Sequence, residues 1–281
     1  MRLKIFHETI YQFGSDVFLE PHFLRFKPKI TANNNLEFYS LDVSPNPAGL
    51  SEQRDAESNL IHFCWFNGMT DKLTIRSESI VEVHEHNPFN FFISPINYSD
   101  LPFTYSAHLH DTLQSALRVA KINDPLIEYG NGILKDSNNK TIDFLTNLTK
   151  RIHSDFVIET RLIGEPYPAD KTFSLKIGSC RDVSWMQIQL LRHLGIASRF
   201  VSGYFYIDEE EMEFELHGWI EVFLPGAGWI GFDPSHGILA GSAHIPVCSG
   251  AYYESTMPVT GTTRGSAESS LHSDLTITPL N

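Results

Sequence analysis

Three residues in the second half of the chain have the types and the order that nucleophilic catalysis by a thiol requires. They are Cys180, His217 and Asp233. A cysteine nucleophile needs an imidazole that takes up its proton and a carboxylate that fixes the tautomer and orientation of that imidazole. The chain therefore contains the side chains of a Cys-His-Asp triad, provided that the fold brings them together.

Cys180 lies where a glycine-marked turn, Gly178-Ser179, leads into a helical pattern. The apolar residues that follow recur at helical spacing, and Gly195 stands where a helix end favours a left-handed residue. The unpaired N–H groups and the dipole at the start of a helix favour a thiolate over a thiol. On position alone, a nucleophile and a small buried residue are equally good interpretations of Cys180.

His217 and Asp233 are predicted to lie on adjacent strands. Residues 217–224 alternate as a strand does, residues 225–228 form a turn, and the chain then returns to Asp233. A four-residue turn would place Asp233 opposite Ile220, on the wrong face for His217, because strand side chains alternate. We therefore predict that the pairing is centred nearer the first residue of the turn, or is shifted by a bulge.

These stretches resemble the transglutaminase-like superfamily of papain-like cysteine enzymes, and more closely its bacterial branch of predicted cysteine peptidases. The similar segments are residues 178–182, 191–204, 217–222 and 228–235, in the order and at the spacing of the family. By this resemblance Cys180 is the nucleophile, His217 the base and Asp233 the orienting acid. Gly218 stands where the family more often has alanine.

The resemblance implies an α+β fold in which an amino-terminal antiparallel β-sandwich precedes a papain-like transglutaminase core. The first hundred residues agree with a sandwich, because short apolar or alternating runs are separated by turn-forming residues. These runs are residues 3–11, 18–26, 36–43, 60–66, 73–75, 80–84 and 89–93, with a long loop at 48–59. We predict a β-sandwich domain over residues 1–100 and a transglutaminase-like catalytic domain over residues 101–281.

Further elements are predicted in the second half. An amphipathic helix contains Ile142, Leu145, Leu148 and Ile152. A shorter helix spans roughly residues 126–129 and is ended by Gly130-Asn131-Gly132. The alternating residues 271–278 predict a final strand.

Several residues near the triad are candidates for supporting roles. Trp219 and Ser179 are candidates for substrate binding. Glu221 shares a strand face with His217 and is either a second carboxylate of the site, part of a buried ion pair, or exposed. The backbone N–H of Cys180 suits an oxyanion donor, and the resemblance places the second donor upstream of the cysteine, within residues 158–172.

Other chemistry-bearing residues favour structural roles. Cys64 lies in an apolar strand and Cys248 has no recognisable partner, so both are predicted to be structural. The acidic run 208–211 lacks the alternating ligands and the glycine of a calcium loop, and we predict a solvated turn. No cluster of three or four ligands is recognisable, so neither a metal nor another cofactor is predicted.

Composition limits the classes of function. The net charge of −13 argues against a nucleic-acid partner, which would require a basic face. Three widely separated cysteines do not form a disulfide framework and favour a reducing compartment. Neither a signal peptide nor a membrane-spanning segment is recognisable, and we expect a cytoplasmic protein.

The predicted function is acyl transfer at an amide bond of a peptide or protein, through a thioester acyl-enzyme. We favour water as the acceptor, which makes the protein a cysteine peptidase or amidase. An amine acceptor would make it a protein-glutamine transamidase, and the triad alone does not separate the two. The alternative from another class is a non-catalytic binding scaffold.

Overall fold

The computed structural model describes residues 1–161, 164–208 and 214–280. The strands are β1 (Arg2–Leu19), β2 (His22–Leu24), β3 (Asn34–Ser44), β4 (Gly49–Arg54), β5 (Leu60–Trp65), β6 (Met69–Val83), β7 (Val157–Ile158), β8 (Ile177–Gly178), β9 (Ser198–Phe205), β10 (Leu216–Leu224), β11 (Gly228–Asp233), β12 (Ile238–Leu239), β13 (His244–Gly250), β14 (Val259–Thr260), β15 (Thr263–Arg264) and β16 (Ser269–Leu280). The helices are α1 (Ala107–Thr112), α2 (Gln114–Leu117), α3 (Asp124–Asp136), α4 (Thr141–Asp155), α5 (Ala169–Leu175) and α6 (Cys180–His193).

Two antiparallel sheets pack face to face in the amino-terminal region. The first sheet has the order β15-β1-β6-β3, with β16 also beside β1, and the second has the order β14-β2-β5-β4. Apolar side chains such as Leu19, Leu24, Cys64 and Ile75 fill the space between them. The predicted antiparallel β-rich region and the α+β class are thereby confirmed, and Cys64 is a buried core residue.

Individual strands differ from the sequence prediction in several places, and β1 already runs through residues 12–17, between two predicted runs. The predicted loop at 48–59 contains β4, a polar strand without an apolar pattern that forms because it pairs with β5. The runs 73–75 and 80–84 lie mostly in one long strand, β6. Residues 89–93 carry no strand, and the loop that they begin contacts the β10–β11 turn, where the N–H of Ser94 donates to the carbonyl of Pro225 at 3.0 Å.

The final strand was predicted correctly, and it pairs with the first strand of the chain. β16 pairs with β1 from Arg2↔Leu280 to Phe13↔Ser269, so it belongs to the first sheet. This segment was predicted to belong to the domain of residues 101–281, because a pairing between two distant stretches of a chain leaves no local signal. The division near residue 100 stays a prediction.

The third sheet, of order β12-β11-β10-β9-β13, lies between the helices and the first sheet. On one side, buried residues of β9, β10 and β11 pack against α3, α4 and α6. On the other side, Tyr204 and Ile245 pack against Leu3 and Ile5 of β1. The amino-terminal region and the core therefore share an apolar contact. None of the helices in the described ranges combines the length and apolar character needed to cross a bilayer.

Helix α3 is longer than predicted because Gly130 and Gly132 lie inside it. A Cβ on Gly130 would lie 2.7 Å from the Cδ1 atom of Leu190 on α6. The glycine is therefore required for the close approach of the two helices and does not end α3. Helix α4 contains all four apolar residues predicted for it.

Candidate active site

Cys180 is the first residue of α6, as the sequence predicts, and Ser179 is the N-cap. The carboxylate of Asp182 accepts hydrogen bonds from the N–H and the hydroxyl of Ser179, at 2.7 and 2.8 Å. It also accepts from the backbone N–H of Tyr167 at 2.7 Å and from Arg161 at 2.6 Å. Since Asp182 is fully buried and so bonded, the start of α6 is held firmly against the segment that precedes it.

The helix ends as predicted at Gly195, whose φ is +77°. The N–H of Ile196 donates to the carbonyl of Leu191 at 2.9 Å, which closes the helix through a left-handed glycine. The two-stranded parallel pair β7–β8 leads directly into Ser179 and Cys180. Cys180 therefore lies at the junction between strand β8 and helix α6.

The hairpin between β10 and β11 places His217 and Asp233 on the same face. Leu224 pairs with Gly228 and Ile220 pairs with Phe232, so the turn has three residues and Asp233 follows on the face of His217. A four-residue turn would have paired Leu224 with Trp229. The observed pairing is therefore centred closer to Pro225, as predicted. The alternative prediction, a bulge, is wrong for this pair, since its register is continuous.

The structure brings the three predicted residues into contact. The Nε2 atom of His217 lies 2.8 Å from Oδ2 of Asp233. The side chains of His217 and Cys180 are hydrogen bonded. Because Nε2 faces the carboxylate, Nδ1 is the ring nitrogen that faces the sulfur. The backbone N–H of Gly218 also donates to this sulfur.

The ionisation of Cys180 and His217 is coupled. Burial by itself raises the pKa of the Cys180 thiol, but the hydrogen bond and charge of His217 and the Gly218 N–H outweigh it, and the pKa lies below its ordinary value. Burial lowers the pKa of His217, but the charge and hydrogen bond of Asp233 and the contact with Cys180 raise it above its ordinary value. The two opposite shifts favour a thiolate–imidazolium pair.

The other two cysteines have the reverse environment. Burial raises the pKa of Cys64 to about 11 and that of Cys248 to about 12. Both side chains are fully buried, whereas Cys180 is partly exposed. Cys180 is therefore the cysteine that combines access with a favoured thiolate, and the other two suit structural roles.

Asp233 is the centre of a larger hydrogen-bonded cluster. Its Oδ2 atom accepts from His236 at 2.8 Å and from His244 at 3.0 Å in addition to His217. Its Oδ1 atom accepts from the N–H and the hydroxyl of Ser235, at 3.0 and 2.6 Å. Burial raises the pKa of Asp233, but the charge of His217 and the three histidine hydrogen bonds hold it well below its usual range.

His236 and His244 were not predicted from the sequence to belong to the site. His236 follows Asp233 by three residues, which is a weak local signal. His244 joins the cluster because β13 pairs with β9, where it stands opposite Phe205. The ring of Phe205 packs against the rings of His217, His236 and His244, with centroid distances of 5.3, 4.2 and 4.7 Å.

His217 and His236 are placed as hydrogen-bond donors to the Asp233 carboxylate and not as ligands of a shared metal ion. Ligand atoms of His217, Asp233 and His236 lie within 4.8 Å of one another. Both histidine nitrogens are 2.8 Å from Oδ2 itself, so this oxygen occupies the centre of the group. A zinc ion would have to lie about 2.0 Å from each nitrogen. The donor set therefore fits hydrogen bonds better than a metal.

The remaining candidates have other contacts. Trp219 is 2% exposed and its ring stacks on His217 at 6.0 Å. Ser179 is 4% exposed and bonded to Asp182. Both candidate residues are thus largely buried, and their substrate-binding role stays a prediction. Glu221 binds Arg199 at 2.7 Å, which corresponds to the ion-pair alternative.

Two predictions fall wholly or partly outside the described residues. Of the acidic run 208–211, the structure describes only Asp208. The range 158–172, where the second oxyanion donor is expected, includes residues 162 and 163, which also lie outside. The second donor stays a prediction.

Two family models match the chain. Residues 128–234 match the transglutaminase-like superfamily, and residues 3–82 match the bacterial transglutaminase-like N-terminal region. The superfamily match thus covers residues 128–234, the part of the chain that contains the candidate active site. The first range contains Cys180, His217 and Asp233, and the second contains nearly all of strands β1 to β6.

Two mycobacterial relatives match this chain over nearly its whole length. A Mycobacterium tuberculosis protein, described as uncharacterized, is 25% identical over 96% of this chain and 90% of its own. A Mycobacterium leprae protein, also described as uncharacterized, is 21% identical over 99% of both chains. These alignments therefore extend over both matched ranges of this chain.

Among solved structures, a Cytophaga hutchinsonii protein described as a "putative cysteine protease" has the same fold. Its TM-score is 0.71 at 16% identity, over 100% of this chain and 92% of that chain. Together with the superfamily match, this fold supports a cysteine-type enzyme in general.

Proposed function

We propose that the protein is a cysteine hydrolase that cleaves amide bonds of peptides or proteins through Cys180, His217 and Asp233. The observation that carries this proposal is the continuous chain of contacts from sulfur to imidazole to carboxylate, in which the His217–Asp233 distance is 2.8 Å. The opposite pKa shifts of Cys180 and His217 add to it, because an activated thiolate is the nucleophile in this chemistry.

In the first half-reaction, the Cys180 thiolate attacks the amide carbonyl carbon and forms a carbon–sulfur bond. The carbonyl becomes an oxyanion, and the N–H of Cys180 at the start of α6 suits it as a donor. The imidazolium of His217 then gives its Nδ1 proton to the amide nitrogen, the carbon–nitrogen bond breaks, and an amine leaves. The product on the enzyme is a thioester.

In the second half-reaction, His217 removes a proton from water, which attacks the thioester carbonyl. The carbon–sulfur bond breaks, a carboxylic acid leaves, and the thiolate–imidazolium pair is restored. Asp233 keeps its charge throughout and stabilises the imidazolium. An amine in place of this water would give transamidation, so the acceptor decides between the two activities.

The test uses glutamine-containing peptides with and without a labelled amine, with Cys180→Ala as the control. Cleavage or deamidation without the amine, lost in the variant, supports the hydrolase. Incorporation of the amine without hydrolysis supports the transamidase. If the wild type and Cys180→Ala behave alike on all substrates, and Cys180 reacts with iodoacetamide no faster than an ordinary thiol, the scaffold interpretation holds instead.

A further inference from the structure

The Asp233 carboxylate accepts more hydrogen bonds than the orientation of one histidine requires. Its Oδ2 atom accepts from His217 and His236 at 2.8 Å and from His244 at 3.0 Å. An ionised carboxylate has only acceptor sites, so each of the three ring nitrogens carries a hydrogen. Two histidines outside the triad therefore bind the same oxygen as the triad histidine.

The tautomer of His244 is set by its hydrogen bonds to Gly241 and Asp233. Its Nδ1 atom accepts a hydrogen bond from the N–H of Gly241 at 3.2 Å, which leaves the proton on Nε2, facing Asp233. Burial lowers the pKa of His244, more than the nearby Asp233 raises it. His244 is thus a neutral donor of fixed tautomer.

His236 reaches Oδ2 from the surface side. Its side chain is 34% exposed, and its ring packs on Phe205 at 4.2 Å, which holds the Nδ1 atom towards the carboxylate. The two donors therefore come from different elements, His236 from the loop after β11 and His244 from β13.

A fully buried carboxylate needs such donors to stay ionised. Asp233 is 0% exposed, and burial alone favours its neutral form. A neutral Asp233 would not stabilise the His217 imidazolium. N–H donors stabilise the anion, and His244, whose pKa burial lowers, does so without adding a positive charge that would repel the imidazolium.

We propose that His236 and His244 are positioning residues that hold the Asp233 carboxylate as an anion with Oδ2 turned towards His217. This inference rests on the proposed function, since it concerns the same Cys180–His217 pair. Within the described residues, the titratable groups that face the pair are Asp233, with these two histidines behind it, and Arg181, which adds a positive charge beside Cys180.

Two substitutions at His236 separate donation from packing. His236→Asn keeps an amide N–H near the position of Nδ1 and loses the ring. His236→Phe keeps the ring on Phe205 and loses the donor. His244→Gln and His244→Phe make the same comparison for Nε2. His153→Phe is the control, because His153 bonds the neighbouring Ser235 carbonyl at 2.8 Å and does not bond Asp233.

The measurement is the rate of Cys180 alkylation by iodoacetamide from pH 4 to pH 9, with the modified cysteine identified by peptide mass spectrometry. For both Phe variants we expect the acid limb of the profile to move to higher pH by about one unit, a roughly 10-fold lower rate on that limb, because a lost bond to a charged group is worth about that much. The Asn and Gln variants and the control should keep the wild-type limb.

Each other outcome overturns the inference. The histidines would only fill space if the Phe variants kept the acid limb of the wild-type pH profile. The same would follow if the acid limb of the Asn and Gln variants shifted as far as that of the Phe variants. A limb at lower pH would mean that they compete with His217 for Oδ2. If the wild type itself alkylates like His217→Ala, the proposed function fails as well. Thermal unfolding checks that each variant folds. If His244→Phe does not fold, the comparison of His236→Asn with His236→Phe decides, because His236 is only partly buried.

Discussion

Leu224 pairs with Gly228 across the β10–β11 hairpin, and this pairing decides which way Asp233 points. If Leu224 paired with Trp229 instead, Asp233 would lie opposite Ile220 and on the other face of the sheet from His217. The short turn is possible because Gly226 and Gly228 have φ angles of +86° and +81°, which other residues adopt with strain. The contact between His217 and Asp233 therefore depends on backbone geometry at the turn.

His217→Ala should change the pH profile of Cys180 alkylation. Without the hydrogen bond and charge of His217, burial is left as the main influence and raises the pKa of the thiol. The wild type should react at full rate well below pH ~8.5, the ordinary value for cysteine. The variant should need a pH above that value. An identical profile for the two proteins would contradict the ion pair, and Cys64 and Cys248 should stay unmodified in both.

Gly218→Ala should lower both stability and the reactivity of Cys180. A Cβ at this position would lie 2.7 Å from Cζ of Phe200, which is 3% exposed and packed in the core. The strand must then shift, and with it the N–H that donates to the sulfur. We expect a loss of about 1–3 kcal/mol in the free energy of unfolding, measured with denaturant.

The double variant Gly218→Ala/Phe200→Leu tests the cause of this loss. If the contact with Phe200 is responsible, the double variant should lose less stability than the sum of the single variants. Strict additivity would mean that the alanine acts elsewhere.

Gly130→Ala and Gly132→Ala should change stability in opposite directions, although both lie within α3. The Cβ at Gly132 would meet no atom within 4 Å, so the better helix former should stabilise by about 1 kcal/mol. The Cβ at Gly130 would lie 2.7 Å from the fully buried Leu190, and overpacking should give a net loss of about 1–2 kcal/mol. Denaturant unfolding of the two variants checks this, and an equal effect would exclude the close contact between α3 and α6.

Asp182→Ala should destabilise the protein strongly. The change removes a fully buried carboxylate that is paired with Arg161 and bonded to Ser179. We expect a loss of about 3–5 kcal/mol, as for breaking other buried ion pairs. The matched control is Asp143→Ala, an exposed acid in the first turn of α4, which should cost at most about 1 kcal/mol. Thermal unfolding distinguishes the two values.

His7 should make the fold sensitive to acid. It is 2% exposed between the first and third sheets, where it contacts the hydroxyl of Tyr204 at 3.3 Å, and burial lowers its pKa to about 4. In the unfolded chain the His7 imidazole takes up a proton near pH ~6.5, whereas in the folded chain it does so only near pH 4. Stability is therefore lost as the pH falls through this window, by about 3 kcal/mol in total.

His7→Gln should remove this part of the pH dependence. Unfolding free energies measured at pH 7 and pH 4.5 should differ less in the variant than in the wild type. His84→Gln, at an exposed histidine, should leave the wild-type difference unchanged. An equal pH dependence in all three proteins would show that His7 is not the responsible group.

Much of the site could be predicted because its signals are local. The helix that begins at Cys180, the strand that carries His217 and the hairpin that returns to Asp233 each follow from patterns within about ten residues. Glycines were harder to interpret. Gly195 ends a helix as expected, whereas Gly130 lies inside one, because only the neighbouring helix shows that a side chain would not fit.

The amino-acid sequence by itself determined the resemblance to transglutaminase-like proteins, the α+β class, the order of the chemical groups and the helix start at which the thiol lies. Only the tertiary structure decided the length of the hairpin turn, the convergence of His236 and His244 on Asp233, and the place of β16 beside β1. The physical reason is the separation along the chain of the residues that interact. Propensity and periodicity report on a residue and its near neighbours, whereas strand register and buried polar contacts depend on elements that are distant in the chain and meet only when the core packs.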